Sequence, residues 1–246
     1  ILSGLVGSEM CIRDRNMDTD TVVHSSRRRL ARRWQSLLLL LGLGALAQSA
    51  LAINVAFDGS CATQADRTAV SNAVAVATTW STNAYNQVNN NEATFRRNQD
   101  LAYRTWFGTF SQDRYQRVRA VLDGVRFKLN SGNTLTAYCR VNPNDPCDAP
   151  GDIAATYVNA RGDVQAWFCT AFFALPPRVG FDTQAGTVVH ELTHSIGHTT
   201  DIPGAYGVAG SQNLGANRPS DAVENADNYE YLSLIHISEP TRPERI

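Results

Sequence analysis

The amino-acid sequence predicts an α+β domain in which several helices pack around a small sheet. Residues 64–88 are rich in Ala, Val and Thr, and their apolar positions recur at the spacing of a long helix. Three short runs between 134 and 169 are rich in β-branched and aromatic residues, which is typical of strands. A helical pattern returns at 184–197. Helices that precede and follow one group of strands indicate an α+β fold.

A second helix is predicted to start after Ser111, whose hydroxyl can cap the first turn. The stretch Ser131-Gly132-Asn133 is predicted to stop this helix. Its apolar side chains recur at three- and four-residue steps and define one buried face: Tyr115, Val118, Leu122, Val125 and Leu129.

The three predicted strands are TLTAYCRV from Thr134, IAATYV from Ile153 and VQAWFC from Val164. A loop rich in Pro and Asp separates the first two, and the short link NARGD between the last two predicts a hairpin. The next helix, QAGTVVHELTHSIG, starts at Gln184. A loop rich in Gly, Asn and Pro is then expected to lead to one last helical piece, SDAVENADNYEY, from Ser220.

Both ends of the chain contain segments that we interpret as artefacts of library construction. Residues 5–15 (LVGSEMCIRDR) and 232–242 (LSLIHISEPTR) can be encoded by two DNA strings that are reverse complements of each other. Natural termini have no reason to show this relation, and the string is similar to a transposase-type sequencing adapter. We therefore assign residues 1–16 and 232–246 to adapter translation and expect the native C-terminus to be missing.

Residues 17–52 are predicted to form a secretory signal peptide. An arginine-rich segment, RRRLARRW, precedes the apolar run LLLLLGLGALAQ, and Ala50-Leu51-Ala52 supplies small residues for cleavage. The apolar run is too short for a comfortable membrane span. We therefore expect a secreted protein with no membrane attachment after signal removal, whose native domain covers residues 53–231.

The composition of this predicted domain excludes some classes of partner. It has 13 Lys and Arg against 17 Asp and Glu, a formal net charge of −4 (13 − 17), and no basic stripe that would bind nucleic acid. We expect a monomer. An even number of cysteines in an exported chain predicts two disulfides, with three pairings open, and no Cys-x-x-Cys spacing supports a zinc-thiolate site. These cysteines are Cys61, Cys139, Cys147 and Cys169.

The strongest chemical signal in the sequence is HELTH at residues 190–194. His190 and His194 lie four residues apart on one predicted helix, so both imidazoles leave the same face and can reach one tetrahedral ion. Glu191 projects about 100° away around the helix axis, where it can act as the general base toward water. The predicted domain contains three histidines, all between 190 and 198, and random scatter would not usually place them so.

A catalytic zinc needs a third protein ligand, and the sequence offers three candidates. His198 lies eight residues after His190, about 12 Å along a continuous helix, so it reaches the same ion only if the helix breaks at Gly197. Glu224 would fit a site whose third ligand is a glutamate from a second helix. Asp201 follows the helix after a short turn, where the chain can fold back under the metal. We favour Asp201, because a carboxylate oxygen suits zinc beside two imidazoles.

The chain resembles the aspzincins, the family of deuterolysin and peptidyl-Lys metalloendopeptidase. The resemblance depends on HELTH, the aspartate after it, Tyr206-Gly207 and NADNYEY at 225–231, together with the upstream segments YRTWFG and FDTQAGTVVHE. It implies a zincin-like metalloprotease fold with HELTH on the active-site helix, and one catalytic Zn²⁺ ion. It also implies that His190 and His194 are zinc ligands and that Glu191 is the general base.

The resemblance further implies that the Tyr206 hydroxyl stabilises the oxyanion and that Asp227 and Glu230 line the S1′ pocket. One position departs from the family pattern, which places the ligand aspartate three residues before the tyrosine. That position is Pro203 here, whereas Asp201 lies five residues before Tyr206. Either the loop is threaded differently so that Asp201 reaches the metal, or the third ligand has changed.

These observations predict a secreted zinc-dependent endopeptidase that acts on protein or peptide substrates and cleaves on the N-terminal side of lysine. Asp227 and Glu230 share one helix face, and two carboxylates at the end of a cleft would attract the compact ammonium group of a lysine. Two alternatives stay open. One is a broader, deuterolysin-like endopeptidase, and the other, suggested by Pro203, is an inactive secreted binding domain that has lost zinc.

Overall fold

The computed structural model describes residues 51–96, 98–140, 146–147 and 152–235. The predicted adapter segment at 1–16, the predicted signal peptide up to residue 50 and the chain after 235 lie outside these residues, and their interpretation stays a prediction. No helix within the described ranges is long and apolar enough to cross a membrane.

The described residues form helices around one small sheet, so the α+β prediction is confirmed. A short 3-10 helix spans Thr170–Ala174. The α-helices are α1 (Gln64–Asn90), α2 (Glu92–Arg96), α3 (Leu101–Phe107), α4 (Gln112–Leu129), α5 (Gln184–Gly197), α6 (Gly207–Asn217), α7 (Pro219–Ala222) and α8 (Ala226–Ile235). The strands are β1 (Asn54–Phe57), β2 (Thr134–Cys139), β3 (Ala154–Val158) and β4 (Val164–Phe168).

The four strands form a mixed sheet in the order β1-β2-β4-β3. β2 lies between β1 and β4 and runs parallel to both, whereas β3 runs antiparallel to β4. The hairpin predicted from NARGD is therefore confirmed, and it closes with a hydrogen bond from Asn159 N–H to the Asp163 carbonyl (3.0 Å). The sequence does not predict β1, because its four residues are too few to show a period and its partner strand lies far along the chain.

Helix α5 is anchored on several sides. Val189 and Leu192 on its apolar edge are fully buried in a cluster that also contains residues of the sheet, α1 and α4. Ala185 is buried in a second cluster, with residues of α3 and α8. Burying a Val or Leu side chain stabilises a fold by about 1.5–3 kcal/mol. The helix that contains HELTH is therefore a rigid support for the side chains on its remaining face.

Two disulfides resolve the pairing that the sequence leaves open. Cys61, just before α1, pairs with Cys139 at the end of β2. Cys147 pairs with Cys169, the residue that follows β4. Cross-links over loops of this length typically stabilise a fold by about 2–4 kcal/mol. Both disulfides fix the ends of central strands of the sheet.

The predictions for the two long helices and for α5 are confirmed, with one local difference. Ser111 occupies the N-cap position of α4, but its side chain forms no capping hydrogen bond. Side-chain caps are present on two other helices: Thr63 caps α1 and Thr183 caps α5. All five apolar residues predicted for the inner face of α4 are buried.

The predictions for the C-terminal third are partly wrong. Residues 207–217, expected to be a loop, form α6, and the single last helix expected from Ser220 is divided into α7 and α8. Two glycines inside α6 allow close packing: a Cβ at Gly210 would lie 2.6 Å from the Ala205 carbonyl carbon, and one at Gly215 would lie 2.6 Å from the Trp106 carbonyl oxygen. Helix α8 continues past residue 231, the predicted end of the domain, and its residues Leu232 and Leu234 are buried in the hydrophobic core.

Candidate active site

Three possible ligand atoms form a triangle at the end of α5. The Nε2 atoms of His190 and His194 lie 3.1 Å apart, and Asp201 Oδ1 lies 3.2 Å from each of them. Ligands at about 2.0–2.2 Å from a tetrahedral zinc ion are themselves about 3.4 Å apart. Two imidazole nitrogens and one carboxylate oxygen in this triangle therefore fit a zinc ion and leave its fourth position open.

Both histidines are oriented through their other ring nitrogen. His190 Nδ1 donates to Asp227 Oδ1 (2.8 Å), and His194 Nδ1 donates to the Thr199 carbonyl (2.9 Å). Because a carbonyl and a carboxylate only accept hydrogen bonds, each Nδ1 carries a proton, and each Nε2 can present its lone pair to a metal ion in the triangle when the imidazole is neutral. Burial lowers the pKa of His190, but hydrogen bonds to Asp201, Asp227 and Glu230 outweigh it and raise that pKa well above its usual value.

The loop after α5 returns Asp201 to the histidines. The helix ends at Gly197, and the next residue has a left-handed backbone conformation (φ 54°) that turns the chain. Thr200 then forms an isolated bridge with Asn225, and its backbone makes two hydrogen bonds to the segment 224–226 (2.7 and 3.1 Å). The Asn225 side chain accepts a hydrogen bond from Ile202 N–H (2.9 Å). The backbone is therefore fixed on both sides of Asp201.

The two other candidate ligands lie elsewhere. Glu224 accepts hydrogen bonds from Arg117 Nε (2.9 and 3.1 Å), and Arg117 also donates to the Gly197 carbonyl (2.8 Å). His198 is exposed at the end of α5. Among the described residues, neither belongs to a group of three or more potential ligand atoms within 4.8 Å of one another.

Glu191 and Tyr206 lie on the cavity wall beside the triangle. Desolvation raises the pKa of Glu191 to about 7, although His190 and His194 oppose the shift. A carboxylate with a raised pKa is a stronger base than an exposed one. Desolvation and the nearby charge of Asp201 raise the pKa of Tyr206, so its hydroxyl keeps its proton and can donate.

The cavity beside the triangle has a volume of about 530 Å³ and an acidic wall. Asp227 and Glu230 of α8 are both buried there, each 6% exposed. Burial raises the pKa of Glu230 to about 7. Asp182 also lines the cavity and accepts a hydrogen bond from the Tyr231 hydroxyl (2.8 Å). Several carboxylates around one partly enclosed volume favour a cationic group within it.

Two residues that contribute to this site, Asp182 and Asn225, are not predicted from the sequence. Asp182 precedes the first turn of α5, where an acidic residue interacts favourably with the helix dipole. An aspartate at this position is therefore expected for the helix alone, and the sequence does not indicate that it also lines the cavity. Asn225 lies in the segment NADNYEY, but its side-chain contact with Ile202 joins residues that are far apart in the sequence. Such a contact leaves no periodic pattern from which it could be predicted.

The chain is similar to known metallo-endopeptidases. Residues 92–233 match the family model described as lysine-specific metallo-endopeptidase. The chain is 32% identical over 177 residues to a peptidyl-Lys metalloendopeptidase of Pleurotus ostreatus, covering 72% of this chain and 95% of that protein. A peptidyl-Lys metalloendopeptidase of Grifola frondosa is 37% identical over 141 residues, which cover 53% of this chain and 34% of that protein. The match therefore spans about a third of the second relative's length.

A bacterial relative and a solved structure extend the comparison. An extracellular protease of Aeromonas hydrophila is 28% identical over 140 residues, covering 53% of this chain and 35% of that protein. The solved structure of a zinc peptidase from Grifola frondosa matches with a TM-score of 0.57 and 28% identity, covering 72% of this chain and 98% of that chain.

Proposed function

The chain belongs to the aspzincin family of lysine-specific metallo-endopeptidases, and we propose that it is a zinc endopeptidase that cleaves peptide bonds on the N-terminal side of lysine. The observation that supports this most is that two features adjoin the same cavity. The triangle of His190, His194 and Asp201 suits zinc, and the acidic wall of Asp227 and Glu230 suits a lysine side chain.

In the proposed mechanism, His190 and His194 would hold zinc through Nε2 and Asp201 through a carboxylate oxygen. Zinc, when bound, supplies a Lewis acid that polarises the scissile carbonyl and makes water more acidic. Glu191 removes a proton from the attacking water as the water oxygen bonds to the carbonyl carbon. It then passes that proton to the amine nitrogen as the C–N bond breaks. The Tyr206 hydroxyl donates to the developing oxyanion, a contact often worth a few kcal/mol.

The two acidic residues of α8 differ in their surroundings. Asp227 Oδ1 accepts from His190 Nδ1, and Asp227 Oδ2 accepts from Gly207 N–H (2.8 Å). The ion-pair contact of Glu230 is longer, 3.5 Å from Oε2 to His190 Nδ1. We propose that Asp227 mainly orients His190 and the start of α6, and that Glu230 is the main partner of the lysine ammonium. A buried carboxylate with weak partners gains most from such a cation.

We also propose that the protein acts outside the cell. The pattern of residues 17–52 is that of a secretory signal. The two disulfides are of a kind that persists in oxidising compartments. A relative named as an extracellular protease adds support.

We expect digestion of a denatured, alkylated protein to produce new N-termini that are almost all lysine, because the acidic wall receives the residue after the scissile bond. Mass spectrometry of the peptides measures this directly. The Glu191→Gln protein, purified in the same way, is the control, because any cleavage in its sample comes from contaminating proteases. Cleavage scattered among residue types would contradict lysine specificity and favour a broader endopeptidase. Absence of cleavage by folded, zinc-loaded protein would favour a binding domain.

We expect Asn225→Ala to weaken zinc binding by about 10-fold or more, the usual effect of removing a partner that orients a metal ligand. The change removes the oxygen that accepts from Ile202 N–H and so loosens the loop that contains Asp201. Competition with a chromogenic chelator at fixed pH measures the affinity. Asn217→Ala, at the exposed end of α6, is the matched control. Equal affinities in the two folded variants would show that Asp201 does not depend on this contact.

A further inference from the structure

Gly186 occupies a helical position of α5 that does not require glycine for its backbone. It lies in the first turn, four residues before His190, and so on the same face of the helix. It is not among the residues with a positive φ. In a regular helix, alanine is favoured over glycine, because glycine loses more conformational freedom on folding. The backbone conformation at 186 therefore gives no reason for glycine there.

The space that a side chain at 186 would need is occupied by Glu230. A Cβ at Gly186 would lie 2.2 Å from Glu230 Oε1, and 3.0 Å from both Glu230 Cδ and Thr183 Oγ1. The first distance is shorter than real contacts of a Cβ atom, and the other two are tight contacts. The Glu230 carboxylate therefore packs directly against the backbone of α5, in a position that any larger residue at 186 would block.

Helix α8 is poorly placed to relieve such an overlap by moving as a whole. The Tyr229 hydroxyl donates to the Val223 carbonyl (2.6 Å), and the Tyr231 hydroxyl donates to Asp182 (2.8 Å). Both tyrosine rings are buried among aromatic neighbours. A methyl group at 186 would therefore act mainly on the Glu230 side chain and turn its carboxylate away from α5.

We propose that Gly186 is a specificity-positioning residue, whose missing side chain lets the Glu230 carboxylate lie at the acidic wall of the cavity where a lysine ammonium binds. This inference rests on the proposed function, because it takes Glu230 as the partner of the substrate lysine. Gly186 itself touches no substrate and acts through Glu230. His190, the zinc ligand nearest in sequence, lies four residues further along α5, and the atoms nearest to a Cβ at 186 belong to Glu230 and Thr183.

The test uses the zinc-loaded Gly186→Ala protein and two peptides that differ only in the residue after the scissile bond, lysine or the uncharged norleucine. We expect kcat/KM for the lysine peptide to fall about 10-fold or more, mainly through KM, because a hydrogen bond to a charged group is lost. For the norleucine peptide, kcat/KM should change by less than about threefold, which is the effect expected of a weak contact. Zinc content should not change. A purely structural role would lower both rates alike.

Two further variants isolate the contact. Glu230→Asp shortens the side chain by one methylene and removes the overlap, so adding Gly186→Ala to it should cost little more. Gly124→Ala in α4 is the matched control, since its Cβ would approach only Ile196 Cγ2, at 3.0 Å. This control should leave the rates for both peptides unchanged.

Three outcomes decide the inference. Full lysine preference in folded Gly186→Ala would overturn it and leave the proposed function intact. A further loss of about 10-fold or more for the lysine peptide when Gly186→Ala is added to Glu230→Asp would also overturn it, even if Gly186→Ala alone failed to fold. If the unmodified enzyme cleaves both peptides equally well, the proposed lysine specificity fails and this inference fails with it.

Discussion

Replacing Glu191 with glutamine is expected to abolish peptide cleavage while leaving the zinc content of the protein unchanged. The amide has the size of the carboxylate but cannot remove a proton from water, and a general base contributes about 10²–10⁴-fold to rate. We therefore expect kcat to fall by about 10³-fold or more. Zinc should stay bound, because Glu191 lies outside the triangle of ligand atoms.

Turnover of a lysine-containing peptide and metal analysis of the same sample measure both parts of this prediction. Glu92→Gln is the matched control, since Glu92 lies on α2 and pairs with Arg96 four residues later. The control should keep the full rate. Undiminished turnover by Glu191→Gln would refute the assignment of the base, and loss of zinc from it would show that Glu191 supports the metal.

Replacing Asp201 with alanine is expected to remove zinc and activity together. It deletes the carboxylate that lies 3.2 Å from both Nε2 atoms, and only two imidazoles stay in the triangle. Loss of a partner that merely orients a ligand costs about 10–100-fold in metal affinity, so loss of a ligand should cost more than about 100-fold. Titration against a chelator of known affinity measures the change.

The other two candidate ligands supply the controls for this experiment. His198→Ala removes an exposed imidazole, and Glu224→Gln removes a carboxylate that is paired with Arg117. Both variants should bind zinc as the unmodified protein does. A variant of either residue that loses zinc while Asp201→Ala retains it would reverse the assignment of the third ligand.

The parts of this fold that the sequence predicts are those with local causes. Helices α1, α4 and α5 show the helical period, and the link between β3 and β4 has the composition of a hairpin turn. The four-residue spacing of His190 and His194 needs only a helix to bring the two imidazoles together. The predictions of these helices and of the hairpin are confirmed because no distant contact opposes them.

The parts that the sequence does not predict depend on distant contacts. The glycines of α6 predict a loop, but the structure has a helix there. At Gly215 the absence of a side chain lets this helix pack against the Trp106 carbonyl. The position of Asp201 beside the two histidines depends on the bridge between Thr200 and Asn225. The family pattern, which places the aspartate at position 203, does not predict this bridge. Gly186 has no local signal either, since its reason is the carboxylate of Glu230.

The central claim is that Asp201 completes a catalytic zinc site with the two histidines of HELTH. A crystal structure of the zinc-loaded protein, with anomalous diffraction at the zinc edge, tests it most directly. We predict one ion, with His190 Nε2, His194 Nε2 and an Asp201 carboxylate oxygen each at about 2.0–2.2 Å. An ion whose third protein ligand is His198 or Glu224, with Asp201 outside coordinating distance, would contradict the claim.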